Sequence, residues 1–157
     1  MAEPFEWVLL AYRLPREPST PRITVWRKLK RLGVAQLLDG LVALPADART
    51  REQLEWIADE VIEAGGAATV WLGRPGSAAQ QRAVATAMSA AVADHYAAVL
   101  AEADEALSAD ETERRRTLAR LRRELHRIGL RDHFPPSNRD AARRAVKRLG
   151  AAVEVAS

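Results

Sequence analysis

Phe5 to Leu14 is apolar on both alternating faces apart from Glu6 and Arg13, the pattern of a central strand covered on at least one side. Pro15 and Pro18 end it. Thr20 is a suitable N-cap with Pro21 at the first helical position, which predicts a helix through Trp26 and Leu29 to Leu32 that Gly33 stops. Val34 to Leu38 and Leu41 to Leu44 are short apolar runs separated by Asp39-Gly40, a strong two-residue hairpin signal. Thr50-Arg-Glu-Gln53 reads as a capping box, and Leu54, Ile57, Ala58, Val61 and Ile62 follow at helical spacing until Gly65-Gly66. Ala67 to Leu72 is β-prone and ends at Gly73-Arg-Pro-Gly76. The order β-α-β-β-α-β predicts an α+β fold of the split βαβ, ferredoxin-like type, with an antiparallel sheet whose one face lies under two helices.

Beyond residue 76 the pattern turns helical, with a β-like run only at Ala152 to Val155. Val84, Met88, Val92, Tyr96, Val99 or Leu100, Ala103 and Leu107 form one apolar stripe, and Ser108-Ala-Asp-Glu111 reads as a capping box for the next helix. There Leu118, Leu121, Leu125 and Ile128 repeat at spacings of three and four, as in a coiled-coil seam, which predicts an antiparallel hairpin with the preceding helix. Gly129 and Pro135-Pro136 end it, and Ser137-Asn-Arg-Asp140 opens a last helix through Leu149 to Gly150. The expected organisation is residues 1–76 as the ferredoxin-like domain and residues 77–157 as a helical hairpin plus C-terminal helix, either packed on it as an extension or completing one compact domain.

Composition narrows the function classes. With 157 residues, 48% hydrophobic and 29% charged, the chain is long enough to bury a core of its own. The absence of cysteine excludes disulfides, thiolate metal sites, iron–sulfur clusters and cysteine nucleophiles, and it fits a reducing compartment. The N-terminal apolar run Trp7 to Tyr12 is too short for a signal peptide or membrane span and follows acids instead of a basic region, so a cytoplasmic protein without membrane attachment is expected. Charge is segregated: Arg13 to Arg31 carries seven basic residues against one acid, whereas Leu32 to Gly76 carries three against seven. Asp94 to Glu113 has seven acids and no Lys or Arg, and Arg114 to Arg148 then has thirteen basic residues against three acids. A hairpin would bring the acidic and basic blocks together and neutralise both.

No catalytic constellation emerges. His95, His126 and His133 lack metal-pair spacing with a carboxylate, Gly65-Gly66 closes a helix where a phosphate loop would open one, and no serine sits on a nucleophile elbow. Acid pairs such as Asp59-Glu60 and Asp104-Glu105 fall on solvated helix faces. The expectation is a non-enzymatic protein with no catalytic residue, no metal and no cofactor.

The first helix is two-faced. At about 100° per residue, Val25, Trp26, Leu29 and Leu32 share an arc of about 120°, and Arg27, Lys28, Lys30 and Arg31 occupy about 160° opposite. Arg13, Arg16 and Arg22 extend this basic surface toward a helix N-terminus, which itself favours anions. The candidate DNA- or anion-binding set is therefore Arg13, Arg16, Arg22, Arg27, Lys28, Lys30 and Arg31, with an ordinary solvated face as the rival explanation. Trp26 is expected in the core under the sheet, and Trp7 and Trp71 are expected as core residues of paired strands.

Trp7-Val-Leu-Leu, Pro21-Arg-Ile-Thr-Val-Trp-Arg-Lys-Leu-Lys-Arg-Leu-Gly33, Leu38-Asp-Gly-Leu-Val-Ala-Leu-Pro45 and Arg122-Arg-Glu-Leu-His-Arg-Ile-Gly-Leu-Arg-Asp-His-Phe134 together resemble the N-terminal domain of ChrB, a chromate-resistance regulatory family. The first part alone is also similar to the central domain of PaaX-type repressors and, more distantly, to small ferredoxin-like CRISPR-associated nucleases. Those nucleases place a metal-binding aspartate at the end of the first strand, where this chain has Tyr12-Arg13-Leu14. Full-length ChrB proteins carry a second, C-terminal domain that is not found before Ser157. The resemblance implies a ferredoxin-like domain with a helical extension, acting in chromate-responsive control of an efflux operon. Its expected partners are operator DNA or the chromate oxyanion itself, together with a second copy in a homodimer. The alternative is a protein-interaction or dimerisation module without direct DNA binding.

Overall fold

The computed structural model describes residues 3–156. The elements are β1 (Trp7–Arg13), α1 (Thr20–Leu32), β2 (Ala35–Leu38), β3 (Leu41–Pro45), α2 (Ala48–Glu63), β4 (Ala67–Gly73), α3 (Ala78–Ala106), α4 (Glu111–Leu130) and α5 (Arg139–Ala156). The sheet order is β2-β3-β1-β4 with every pairing antiparallel, the ferredoxin-like arrangement that the pattern predicts. The chain divides into two compact units whose boundary falls between Met88 and Ser89, inside α3.

In the first unit, register sets the core. Val8 pairs with Leu44 and Leu72, and Leu10 with Val42 and Val70, so these side chains share one face of the sheet. Val8, Leu10, Val42 and Leu44 are buried there together with Val25 and Leu29 of α1 and Leu54, Ile57 and Val61 of α2. Each such side chain contributes about 1.5–3 kcal/mol of burial. The opposite face is not simply solvated. Trp7 lies on it, 3% exposed, with its indole N–H donating to Gln81 Oε1 at 3.1 Å. The Phe5 amide donates to the same oxygen at 2.9 Å, and the Phe5 ring stacks on Trp7 at 5.5 Å. Gln81 is itself buried, so the first turns of α3 belong to the sheet unit through this amide.

Two tryptophans depart from expectation. Trp71 faces the same way as Leu9, its partner across the ladder, but β4 is an edge strand and Trp71 is 61% exposed, its indole N–H donating to the Thr69 hydroxyl at 2.8 Å. Trp26 is half-buried and absent from the core, because it sits at the edge of the apolar arc of α1 whereas Val25 and Leu29 occupy its centre.

Helix starts also shift. Ser19, not Thr20, is the N-cap of α1, and its side chain makes no capping bond. Asp47 caps α2, with its carboxylate taking the Thr50 amide at 2.7 Å and the Thr50 hydroxyl taking the Asp47 amide at 3.0 Å, so Thr50 is the third helical residue of the box and not its first member. Asp110 in place of Ser108 caps α4 through the Glu113 amide at 2.8 Å. In each case the helix takes a residue other than the serine or threonine first expected.

The second unit packs α4 and α5 with the C-terminal part of α3. Val92, Tyr96, Val99, Ala103 and Ala106 meet Leu118, Leu121 and Ile128 and, from α5, Ala142, Ala145, Val146 and Leu149. The hairpin prediction holds, with one ion pair across it, Arg120 to Glu102 at 2.6 Å, and Arg148 of α5 adds another to α3 through Asp104 at 3.2 Å. α3 is long and apolar enough by length and composition to cross a membrane, and its Val92, Tyr96, Val99, Ala103 and Ala106 are buried in this core. The β-like run Ala152 to Val155 is helical, since α5 continues past Gly150 to Ala156. Extending an existing helix adds a hydrogen bond per residue, whereas an isolated strand here has no partner.

Candidate functional site

Because β3 runs antiparallel to β1, the turn between β2 and β3 lies beside the C-terminal end of β1. The Tyr12 amide donates to the Gly40 carbonyl at 2.8 Å and fixes that approach. Gly40 has φ +75°, and a Cβ on it would run into the Tyr12 carbonyl, so the close contact requires glycine. The N-terminal turn of α1 comes to the same place. Together they enclose an open cleft of about 720 Å³ lined by Tyr12, Arg13 and Leu14 of the first strand end, Ser19, Arg22, Ile23 and Trp26 of α1, and Gln36, Asp39 and Gly40 of the hairpin.

The cleft is built to offer hydrogen-bond donors. The first helical bond of α1 runs from the Ile23 amide to the Ser19 carbonyl at 3.2 Å, Ser19 leaves the first turn without a side-chain cap, and that turn contains no acid. Its dipole therefore meets no negative charge from its own sequence. Arg13 and Arg22 make no ion pair with a described residue. The Tyr12 hydroxyl is held above its ordinary range, first by burial and then by the charge of Asp39, both of which disfavour the phenolate.

Of the candidate basic residues, Arg13 and Arg22 converge on this cleft, and Arg13 and Arg16 border a smaller depression with Gly65 and Gly66. Arg27, Lys30 and Arg31 are exposed along α1 and pair with no described acid. Lys28 is turned the other way, at the edge of the helix nearest α2, where Glu60 takes it through both carboxylate oxygens at 2.9 Å. Lys30 and Arg31 also lie in the last turn of α1, where cations complement the helix dipole. The sequence reading omits Tyr12, Ser19, Ile23, Gln36, Asp39 and Gly40. The signal was available, because in the split βαβ order the β2–β3 turn must fall next to the end of β1.

The basic run of α4 differs. Arg115, Arg116 and Arg127 pair with Glu111, Glu113 and Glu124 on the same helix. Within the second unit the Arg131-Asp132-His133-Phe134 segment is tied to α3: Tyr96 donates to Asp132 at 2.7 Å, Arg131 Nη2 lies 3.0 Å from His95 Nδ1, and the Asn138 amide donates to the Ala93 carbonyl at 2.9 Å. Among the described residues no group of three or more His, Asp and Glu side chains is placed to hold a metal ion.

The family model "Protein ChrB, N-terminal" matches residues 22–156. Protein ChrB of Cupriavidus metallidurans is 29% identical over 153 residues, covering 95% of this chain and 47% of its own length, so this chain spans about half of that relative. No solved structure matches it. The match over most of the chain, from the first turn of α1 to the end of α5, places it in the family of ChrB N-terminal domains.

Proposed function

We propose that this chain is a regulatory or sensing module of chromate resistance that binds the phosphates of DNA through α1 and the cleft beside it. The observation that carries the reading is the set of six cations, Arg13, Arg16, Arg22, Arg27, Lys30 and Arg31, gathered at the end of β1 and along α1, that make no ion pair with a described acid, whereas Arg115, Arg116 and Arg127 of α4 pair with acids of their own helix. Such a row supplies salt-dependent affinity without reading sequence, so specificity rests on groove contacts or on a paired second copy. A second reading takes the chromate dianion itself at Arg13, Arg22 and the Ser19 hydroxyl, where guanidinium groups provide charge-assisted bonds.

Fluorescence anisotropy of a labelled duplex from the gene's upstream region against a scrambled duplex, at two salt concentrations and with and without chromate, tests both. Replacing Arg27, Lys30 and Arg31 together by Gln is expected to reduce the slope of log affinity on log salt by about one per lost phosphate contact. Sequence preference relieved by chromate supports a sensor. No binding at low salt overturns the reading in favour of an interaction module, for which exposed Leu38 and Trp71 on the marginal strands would be the surface.

A further inference from the structure

The cleft holds more than anion donors. Trp26, Ile23 and Leu14 supply apolar surface beside Arg13 and Arg22, and Asp39 brings a carboxylate from the hairpin. At about 720 Å³ it has the volume of a site for a small organic molecule, which typically occupies ~300–1,000 Å³. A bare tetrahedral dianion would use only the arginines and the Ser19 hydroxyl. It would leave the indole without a partner and face Asp39 as a like charge. Trp26 also has no place in the core, although burying an indole is among the most favourable uses of such a side chain.

We propose that this cleft binds a nucleoside phosphate, with the phosphate on Arg13 and Arg22, the base stacked on Trp26, and Asp39 accepting from an N–H of the base. The proposal rests on the reading of those arginines as anion ligands and adds the ring that the anion must carry. All three kinds of lining residue are then used. The donor arm neutralises the phosphate, the π-face takes any base, and the carboxylate selects a partner with hydrogens to give. The ligand has two sources, a free nucleotide or an unstacked nucleotide of a strand, and both present the same chemistry.

Calorimetric titration of the whole chain with adenosine and guanosine monophosphates, ribose 5-phosphate, inorganic phosphate, chromate and a short single-stranded oligonucleotide tests it. At least one nucleotide, free or in the strand, is expected to bind about tenfold or more tighter than ribose 5-phosphate, the margin expected from stacking. Arg22→Gln should weaken all phosphate probes, whereas Asp39→Asn should narrow the margin by which nucleotides bind more tightly than ribose 5-phosphate. Trp26→Leu should remove most of the margin between the nucleotide and ribose 5-phosphate. Circular dichroism melting checks its fold, and the other two variants, at exposed positions, carry the test if it fails to fold. Tight oligonucleotide binding with weak free-nucleotide binding identifies the strand as the source. Equal affinity of the parent for ribose 5-phosphate, free nucleotides and the strand overturns the proposal but keeps the anion site. Failure of every phosphate probe and of chromate overturns both.

Discussion

Tyr12 and Gly40 are joined backbone to backbone, the amide of one donating to the carbonyl of the other at 2.8 Å, in a contact too close for any side chain at residue 40. The bond fastens the hairpin to the end of β1, and two of the three walls of the cleft depend on it.

Gly40→Ala is therefore expected to cost about 2 kcal/mol or more, since it adds a positive-φ penalty to a backbone collision. Denaturant unfolding checks this as a lower midpoint with an unchanged slope. Anion binding at the cleft should weaken with it.

Trp7 and Trp26 should differ sharply on truncation. Trp7→Ala removes a buried ring and leaves the Gln81 amide without its indole donor, which should cost about 3–5 kcal/mol. Trp26→Ala empties part of an open cleft and is expected to cost about 1–2 kcal/mol, within the range of ordinary single substitutions. A Trp26→Ala protein as unstable as Trp7→Ala would return Trp26 to the core.

The Tyr96 hydroxyl, on a side chain 1% exposed, is pushed up to about 12 by burial first and then by its hydrogen bond to Asp132 and that group's charge, with Arg143 and Arg139 opposing. Its ordinary value is 10.0, so the fold disfavours the phenolate. The stability this contributes is complete below pH 10 and is lost as pH rises toward 12. Tyr96→Phe should cost about 1–2 kcal/mol at neutral pH through the orphaned carboxylate. Melting temperatures followed from neutral to strongly alkaline pH should fall less steeply in the variant.

At the other end of the pH scale Asp47 is informative. The Thr50 amide, helped by the Thr50 hydroxyl and by Arg49, holds its carboxyl below the usual 3.8 against a smaller effect of burial. Its stabilisation is present above that value and lost as pH falls through the lowered one. Asp47→Ala is expected to cost about 1 kcal/mol near neutrality, and Asp47→Asn to keep most of the cap while flattening the acid limb of the stability curve.

The strands and the hairpin were legible because Asp39-Gly40 and the period-two runs are local signals. Cap positions were less so, because Ser19 and Thr20, Asp47 and Thr50, and Ser108 and Asp110 offer competing oxygens within three residues of one another. Trp26 and Trp71 were misplaced for a common reason: hydropathy marks a face but not where that face ends, and both rings lie at an edge, one of a helix arc and one of the sheet. The arginines of the site could be picked out by charge. The cleft could not, since its walls come from three segments that meet only through the antiparallel ladder.

The two margins of the sheet are unequal. β2 is four residues long with a register slip between Gln36 and Leu38, so its outward amides and carbonyls are out of step with any straight strand laid against them. β4 runs seven residues in unbroken register. Concentrated or partly unfolded samples should therefore grow aggregates from the β4 side, where a single charged residue in place of Thr69 or Trp71 would do most to keep the protein in solution.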